Sequence, residues 1–160
     1  MQMTLTTYDE ELCRKIEPHV STTRERFEVL MRCKELGIPT LVWMTPILPF
    51  INDTRENIEG LLDYCLLAGV QGILVFDVGV TLREGDREYF YQALDRDFPG
   101  IRQKYISTYG NAYDIPSPYA KELMALIQNT CVANGMLCSP KECFTYLHEF
   151  PERYVQQTLF

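Results

Sequence analysis

The sequence of 160 residues has no stretch that reads as a bilayer span. Its most apolar run, 36–51, is interrupted by Pro39, Pro46 and Pro49 and falls short of the ~20 residues a spanning helix needs. Positive charge is scarce: 15 Lys and Arg stand against 22 Asp and Glu, for a formal charge of −7 and a pI near 4.8. A non-specific nucleic-acid binder needs clustered cations to displace counterions, so this balance argues against one. No secretory leader is expected either, since residues 1–7 are polar and Asp9, Glu10 and Glu11 follow. Together these absences predict a soluble cytoplasmic protein with no membrane partner. There is no GxGxxG, no P-loop, no GxSxG and no HExxH. The two histidines, His19 and His148, lie far apart in polar surroundings and read as solvated or capping groups.

Cysteine is present but unpatterned. The six thiols contain no CxxC, and the spacing Cys131-x6-Cys138-x4-Cys143 matches no common zinc or iron–sulfur arrangement. No metal site is expected from it. Cys33 and Cys65 fall in helical apolar patterns and are expected to pack as small hydrophobes. A hydrophobic fraction of 46% excludes intrinsic disorder, and the length suits one domain or slightly more.

Strand and helix signals alternate in the first half. Residues 1–6 read as a strand, and 10–16 as a scrap of helix. A helix then starts at Thr22 with Glu25 in capping-box spacing and ends at Gly37. The apolar run 39–44 is continuous rather than alternating, as in a parallel strand covered on both faces. The next helix carries Ile58, Leu61, Leu62, Cys65 and Leu66 at helical spacing, with Asp53 as its expected cap and Gly69 as its stop. Residues 72–78 read as a third strand. The resulting β-α-β-α-β order requires parallel strands joined by right-handed crossovers.

The second half reads as helical at 85–98 and 101–109. A loop is expected at 110–118, then a helix capped by Ser117 with Pro118 in its first turn, a short strand at 136–138, and a last helix from Ser139. The expected organisation is a parallel α/β unit over 1–84 and a helical extension over 85–160 packed on the same domain.

Ligands of parallel α/β folds lie beyond the carboxyl ends of the strands. That rule selects Thr6, Thr7, Tyr8 and Asp9, then 45–49 with Asn52 and Asp53, then Asp77, Val78, Gly79, Thr81 and Arg83. Asp77 is either a positioned carboxylate or an Asp satisfied by its own loop. With Arg83 it is the candidate on the substrate side. The Pro46–Pro49 segment either holds a flat ligand or is a plain turn. Arg26 either faces an anion or is a solvated helix charge.

Several segments carry a family likeness. The run TLTTYDEE at 4–11, Ile16-Glu-Pro18, Ser21 with Arg24-Glu-Arg26, Leu36-Gly-Ile-Pro39, Pro46-Ile-Leu-Pro49 and Asn52-Asp53 resemble the later part of a radical S-adenosylmethionine (SAM) barrel, in the group related to spore photoproduct lyase. The segment 81–95, with Phe98-Pro-Gly, Tyr109-Gly-Asn and Pro116-Ser-Pro118, is similar to the C-terminal region of proteins in that group. The resemblance implies that the three strands are the fourth to sixth of a partial (β/α)6 barrel of TIM type. It implies SAM and a [4Fe–4S] cluster as cofactors of the full-length protein, and a 5′-deoxyadenosyl radical that abstracts hydrogen. Thr4 and Thr6 fall where such proteins bring a hydroxyl near SAM. Arg26 falls near a position facing the SAM carboxylate, and Pro46 and Ile47 fall in the segment whose backbone approaches adenine.

The CxxxCxxC loop that holds the cluster has no counterpart in this sequence. The expectation is therefore a C-terminal portion, inert alone, with no cofactor bound to it and with an N-terminal barrel half as its missing partner. DNA is not implied as a substrate, and the substrate is open. An open sheet edge is expected to lead to a symmetric homodimer. The competing expectations are a free-standing α/β binding or assembly module and a fragment of an ordinary TIM-barrel enzyme.

Overall fold

A computed structural model describes residues 1–149. In chain order the elements are β1 (Gln2–Thr4), α1 (Glu10–Ile16), α2 (Thr23–Glu35), β2 (Leu41–Trp43), α3 (Arg55–Ala68), β3 (Gly72–Leu74), β4 (Gly79–Thr81), α4 (Asp86–Asp97), α5 (Ile101–Tyr109), β5 (Asp114–Pro116), α6 (Ala120–Ala133) and α7 (Pro140–His148). The architecture is mixed α/β, with seven helices among the described residues and a small parallel sheet in the order β1-β2-β3. Met3, Val42 and Ile73 lie side by side in its register.

The alternation of side chains along a strand decides what each face meets. Leu5, Val42, Met44, Ile73 and Val75 point to one side, where α2, α3 and α6 supply Phe27, Leu30, Ile58, Leu61, Cys65, Leu123 and Ile127. Leu41 and Leu74 point to the other side and meet Cys143, with Trp43, Leu137, Tyr146 and Leu147 around them. Both faces of the central strand are thus covered, as its continuous apolar run requires. The second cover is α7.

The helix ends follow the local signals in part. Thr22 accepts from the Glu25 N–H while Glu25 accepts from the Thr22 N–H, closing the expected capping box of α2. Gly69, at φ +63°, ends α3 in the left-handed conformation. The cap of α3 is Thr54, not Asp53: the Thr54 hydroxyl takes the Asn57 N–H at 3.2 Å, while Asp53 is buried against Ser117. Ser117 is accordingly not the cap of α6. It donates to Asp53, accepts from the Tyr119 N–H at 3.0 Å, and leaves the helix to begin at Ala120.

Two further differences have one cause. The third strand ends at Leu74 rather than Val78, and the expected loop 110–118 contains β5. Asp77 turns the chain by accepting from the Val78 N–H at 2.7 Å, and the Val78 carbonyl takes the Ser117 N–H at 2.8 Å. That bond continues an antiparallel pairing of Gly79–Thr81 with Asp114–Pro116. Strands of three residues carry no readable period of their own, and this pairing spans more than thirty positions. Around it, Leu82, Tyr91, Leu94, Tyr105 and Ile115 form a second core with Phe50, Phe90 and Tyr109 at its margin. The expected strand at 136–138 is a single parallel bridge: Leu137 donates to Gln71 (2.9 Å) and accepts from Ile73 (2.8 Å) on the outer edge of β3. Residues 150–160, the end of the expected helical extension, lie outside the described residues.

Candidate functional site

The carboxyl end of β1 is clamped by asparagines. Asn52 donates its amide to the Thr6 carbonyl and the Thr7 hydroxyl, both at 3.0 Å. Asn57 donates to the carbonyls of Thr6 (3.0 Å) and Asn52 (2.8 Å) and accepts from the Tyr8 N–H at 2.6 Å. All of Thr6, Thr7, Asn52 and Asn57 are buried, and their mutual bonds offset the cost of taking amides out of water. Gly60 belongs to the same fit, because a Cβ there would overlap the Tyr8 ring.

This rigid end presents a polar cluster at the outer edge of the sheet. The Thr6 hydroxyl donates to one oxygen of Glu17 at 2.9 Å, and the other oxygen pairs with the Arg26 guanidinium. Arg26 also donates to the Thr4 carbonyl at 3.1 Å. The Arg26 and Glu17 side chains are 13% and 24% exposed, so the pair is shielded but reachable. Arg26 is therefore not a solvated helix charge; its guanidinium is paired with Glu17 and bonded to the Thr4 carbonyl at the edge of the cleft. Gln2, Met3, Thr4, Glu17, Val20 and Arg26 line an open cleft of about 590 Å³. The structure thus brings Thr4, Thr6 and Arg26 together, through Glu17, a residue that spacing did not single out. Its signal in the sequence was its place in the Ile16-Glu-Pro18 segment, just past α1.

A second cleft, of about 420 Å³, lies past the ends of β2 and β3 and is walled by Thr45, Pro46, Phe76, Asp77, Asp114 and Pro116 among others. The Thr45–Pro46 peptide is cis. Phe76 is 57% exposed and belongs to an open aromatic group with Trp43 and Phe144, the ring centroids 6.1–6.3 Å apart. Trp43 is anchored by its indole N–H to the Gln2 side chain at 2.8 Å. Pro46 and Asp77 therefore share a cleft, although Asp77 already accepts from its own loop. Ile47 is fully buried in the main core, so its side chain lines nothing. Arg83 is exposed and lies outside that cleft.

A third cleft, of about 410 Å³, is lined by Phe50, Asp53, Thr54, Arg55, Lys104 and Tyr119, among others. Burial raises the Asp53 carboxyl above its ordinary value, and the Ser117 hydroxyl partly counters this. Nearby, the Tyr105 hydroxyl donates to the Pro49 carbonyl at 2.8 Å, and Lys104 lies over the Phe50 ring at 4.1 Å.

His19 and His148 are exposed. Among the described residues no three His, Cys, Asp or Glu side chains are grouped so as to hold a metal ion. No helix among them is long and apolar enough to cross a membrane.

The chain is similar to uncharacterized proteins of Mycobacterium bovis and Mycobacterium tuberculosis, each 30% identical over 115 residues. The match covers 72% of this chain and 33% of each relative, so the chain spans about a third of the length of the curated relatives it matches. No family model matches the sequence, and no solved structure does.

Proposed function

We propose that the chain is the later, SAM-binding and substrate-side portion of a radical SAM protein related to spore photoproduct lyase, with β1, β2 and β3 as the fourth to sixth strands of a partial (β/α)6 barrel. The observation that carries this reading is the cluster of Thr4, Thr6, Glu17 and Arg26 at the end of the first parallel strand. Of the residues that the resemblance associates with SAM, Thr4 and Arg26 line one cleft there, and Thr6, buried behind it, is bonded to Glu17. Glu17 and Arg26 together complement a zwitterion, the guanidinium facing a carboxylate and the Glu17 carboxylate an ammonium. Pro46 and the open face of Phe76 offer the flat apolar surface on which an aromatic base stacks.

A [4Fe–4S] cluster does not fit the described residues, because no three ligating side chains gather there. No radical step is assigned to this chain, which on this reading is inert alone. The cluster-bearing half adds its last strand to the outer edge of β1. Leu41 donates to Met1 at 3.0 Å and Leu5 to Trp43 at 2.9 Å, so in a parallel pairing Gln2 and Thr4 turn their backbone groups outward, where Arg26 takes the Thr4 carbonyl and the Gln2 groups face the open edge. That the matched relatives are three times as long as the matched segment supports a further half.

Anaerobic reconstitution with ferrous iron and sulfide, run on this chain and on the Mycobacterium tuberculosis relative, tests the reading. The relative is expected to take up a cluster and, once reduced, to convert SAM to 5′-deoxyadenosine; the chain alone is expected to do neither. A relative that holds no cluster, or a chain that alone holds one and cleaves SAM, overturns it.

One observation favours a second reading, a free-standing α/β binding or assembly module. In a closed barrel the second face of the sheet would look inward, yet here α7 packs on it through Cys143. Sedimentation separates the two. A barrel portion whose β1 edge is only partly capped, by Arg26 on the Thr4 carbonyl, pairs with a second copy as the concentration rises, whereas a self-sufficient module stays monomeric.

A further inference from the structure

The cleft beside Asp53 holds a buried charge. Among the described residues Asp53 is the only Asp, Glu, Lys, Arg or His that is buried, and none of the ion pairs formed among them includes it. Its carboxylate accepts from the Ser117 hydroxyl. A neutral donor replaces only part of the water that a carboxylate loses, and burial accordingly holds the Asp53 carboxyl above its ordinary value. A buried carboxylate without a cation is costly, and in a cleft it marks a place where a ligand can supply one.

Lys104 lines the same cleft and is in no ion pair either. Its ammonium lies over the Phe50 ring at 4.1 Å, and among the groups that counter the rise of Asp53 it contributes least. Arg55 and Glu122, the other charged residues on the walls, are already paired: Arg55 meets Glu59 at 2.8 Å and Glu122 at 3.5 Å. One anion and one cation are thus left open in a single cleft, out of contact with each other.

The apolar walls between them are fixed in advance. Phe50 is held at φ +64°, a conformation bulky side chains rarely adopt. The Tyr105 ring meets it edge-on at 5.6 Å while the Tyr105 hydroxyl donates to the preceding Pro49 carbonyl at 2.8 Å. Ser117 serves twice, donating to Asp53 and accepting from the Tyr119 N–H at 3.0 Å, so the group that holds the carboxylate also fixes the turn carrying the Tyr119 wall.

We propose that this cleft binds a free α-amino acid with an aromatic side chain, its ammonium on Asp53, its carboxylate on Lys104 and its ring against Phe50 and Tyr119. The ammonium gives Asp53 the counterion it lacks. The carboxylate draws Lys104 off the Phe50 face, which the ligand ring then covers. A simple amine would leave Lys104 unpaired, and a simple acid would leave Asp53 so. The volume of about 410 Å³ lies toward the small end of the range of about 300–1,000 Å³ for small-molecule sites. The cleft shares no residue with that of Thr4, Glu17 and Arg26, so the inference stands independently of the SAM reading.

Calorimetric titration of the full chain with L-phenylalanine, phenethylamine, phenylpropionate and glycine tests it. The amino acid is expected to bind. Each of the others, lacking the carboxylate, the ammonium or the ring, is expected to bind at least about tenfold more weakly. Asp53→Asn is expected to lose about tenfold in affinity for L-phenylalanine and to leave phenylpropionate unchanged. Lys104→Met is expected to weaken L-phenylalanine similarly and to leave phenethylamine unchanged. Amide shifts on adding L-phenylalanine are expected at 50–55 and 117–123. No binding of L-phenylalanine at millimolar concentration, equal binding of all four compounds, shifts confined to other segments or full affinity in Asp53→Asn overturns the proposal. Coupling between Asp53 and Lys104 in the stability of the unliganded chain, read from the double variant, shows that the two pair with each other and overturns it as well.

Discussion

The parallel sheet with its helices and the smaller unit built on β4 and β5 are held together in different ways. The first buries aliphatic side chains from three strands and three helices in one continuous core. The second has two short antiparallel strands and a core dominated by rings, with Phe50, Phe90, Tyr91, Tyr105 and Tyr109 in mutual contact. Its polar groups complete it. Arg87 on α4 donates to the carbonyls of Leu82, Gly110, Asn111 and Ala112, bridging the loop before β5 to the end of β4. Where a sheet is too short to supply backbone partners, one guanidinium with its fork of donors takes their place. The first unit therefore depends on volume and the second on a few polar bonds.

The largest test of this contrast is Ile58→Ala, at a fully buried position of α3 in the aliphatic core. It is expected to cost about 2–5 kcal/mol and to lower the urea midpoint of the whole chain. A loss confined to one part of the transition would show that the two units unfold separately. Arg87→Ala comes next. It leaves half-exposed carbonyls that water can reach, so a cost of about 1 kcal/mol is expected. Faster amide exchange should follow across 110–114, with no change in α3. A uniform rise in exchange would remove the distinction between the units.

The smallest effect is expected at their junction, from Asp53→Asn. The folded carboxyl of Asp53 is raised above its unfolded value, so between those two values the folded chain binds the extra proton. Wild-type stability should then rise as pH falls through the folded pKa toward the unfolded one, and should be diminished at neutral pH, where the buried carboxylate is ionised. Asp53→Asn is expected to remove this slope and to match or exceed the wild type at pH 7, read from urea midpoints across a pH series. A variant that keeps the wild-type pH slope would assign the effect to another group.

How much was readable depends on the range of the interaction. The capping box of α2, the apolar stripes of α2 and α3, the parallel order of the sheet and the burial of Cys33 and Cys65 follow from residues one or two turns apart, and the structure has them. Asp53 shows where such reasoning fails. Its spacing to Glu56 is that of a cap, but a hydroxyl 64 positions away claims it, and Thr54 caps instead. Glu17 carried no local pattern at all, yet it joins Thr6 to Arg26. The family likeness included Glu17 within Ile16-Glu-Pro18 but gave it no role beside Thr4, Thr6 and Arg26.

By itself the sequence determined the alternation of parallel strands and amphipathic helices, because a period of two or of 3.6 is written in near neighbours and needs only one buried face to act. Tertiary structure alone decided that α7 covers the second face of the sheet, that β5 finds β4, that Asp53 meets Ser117 and that Leu137 returns to the edge of β3. Those contacts join residues that come together only once whole elements have docked, and the cost of leaving a buried polar group unpaired then selects the partner.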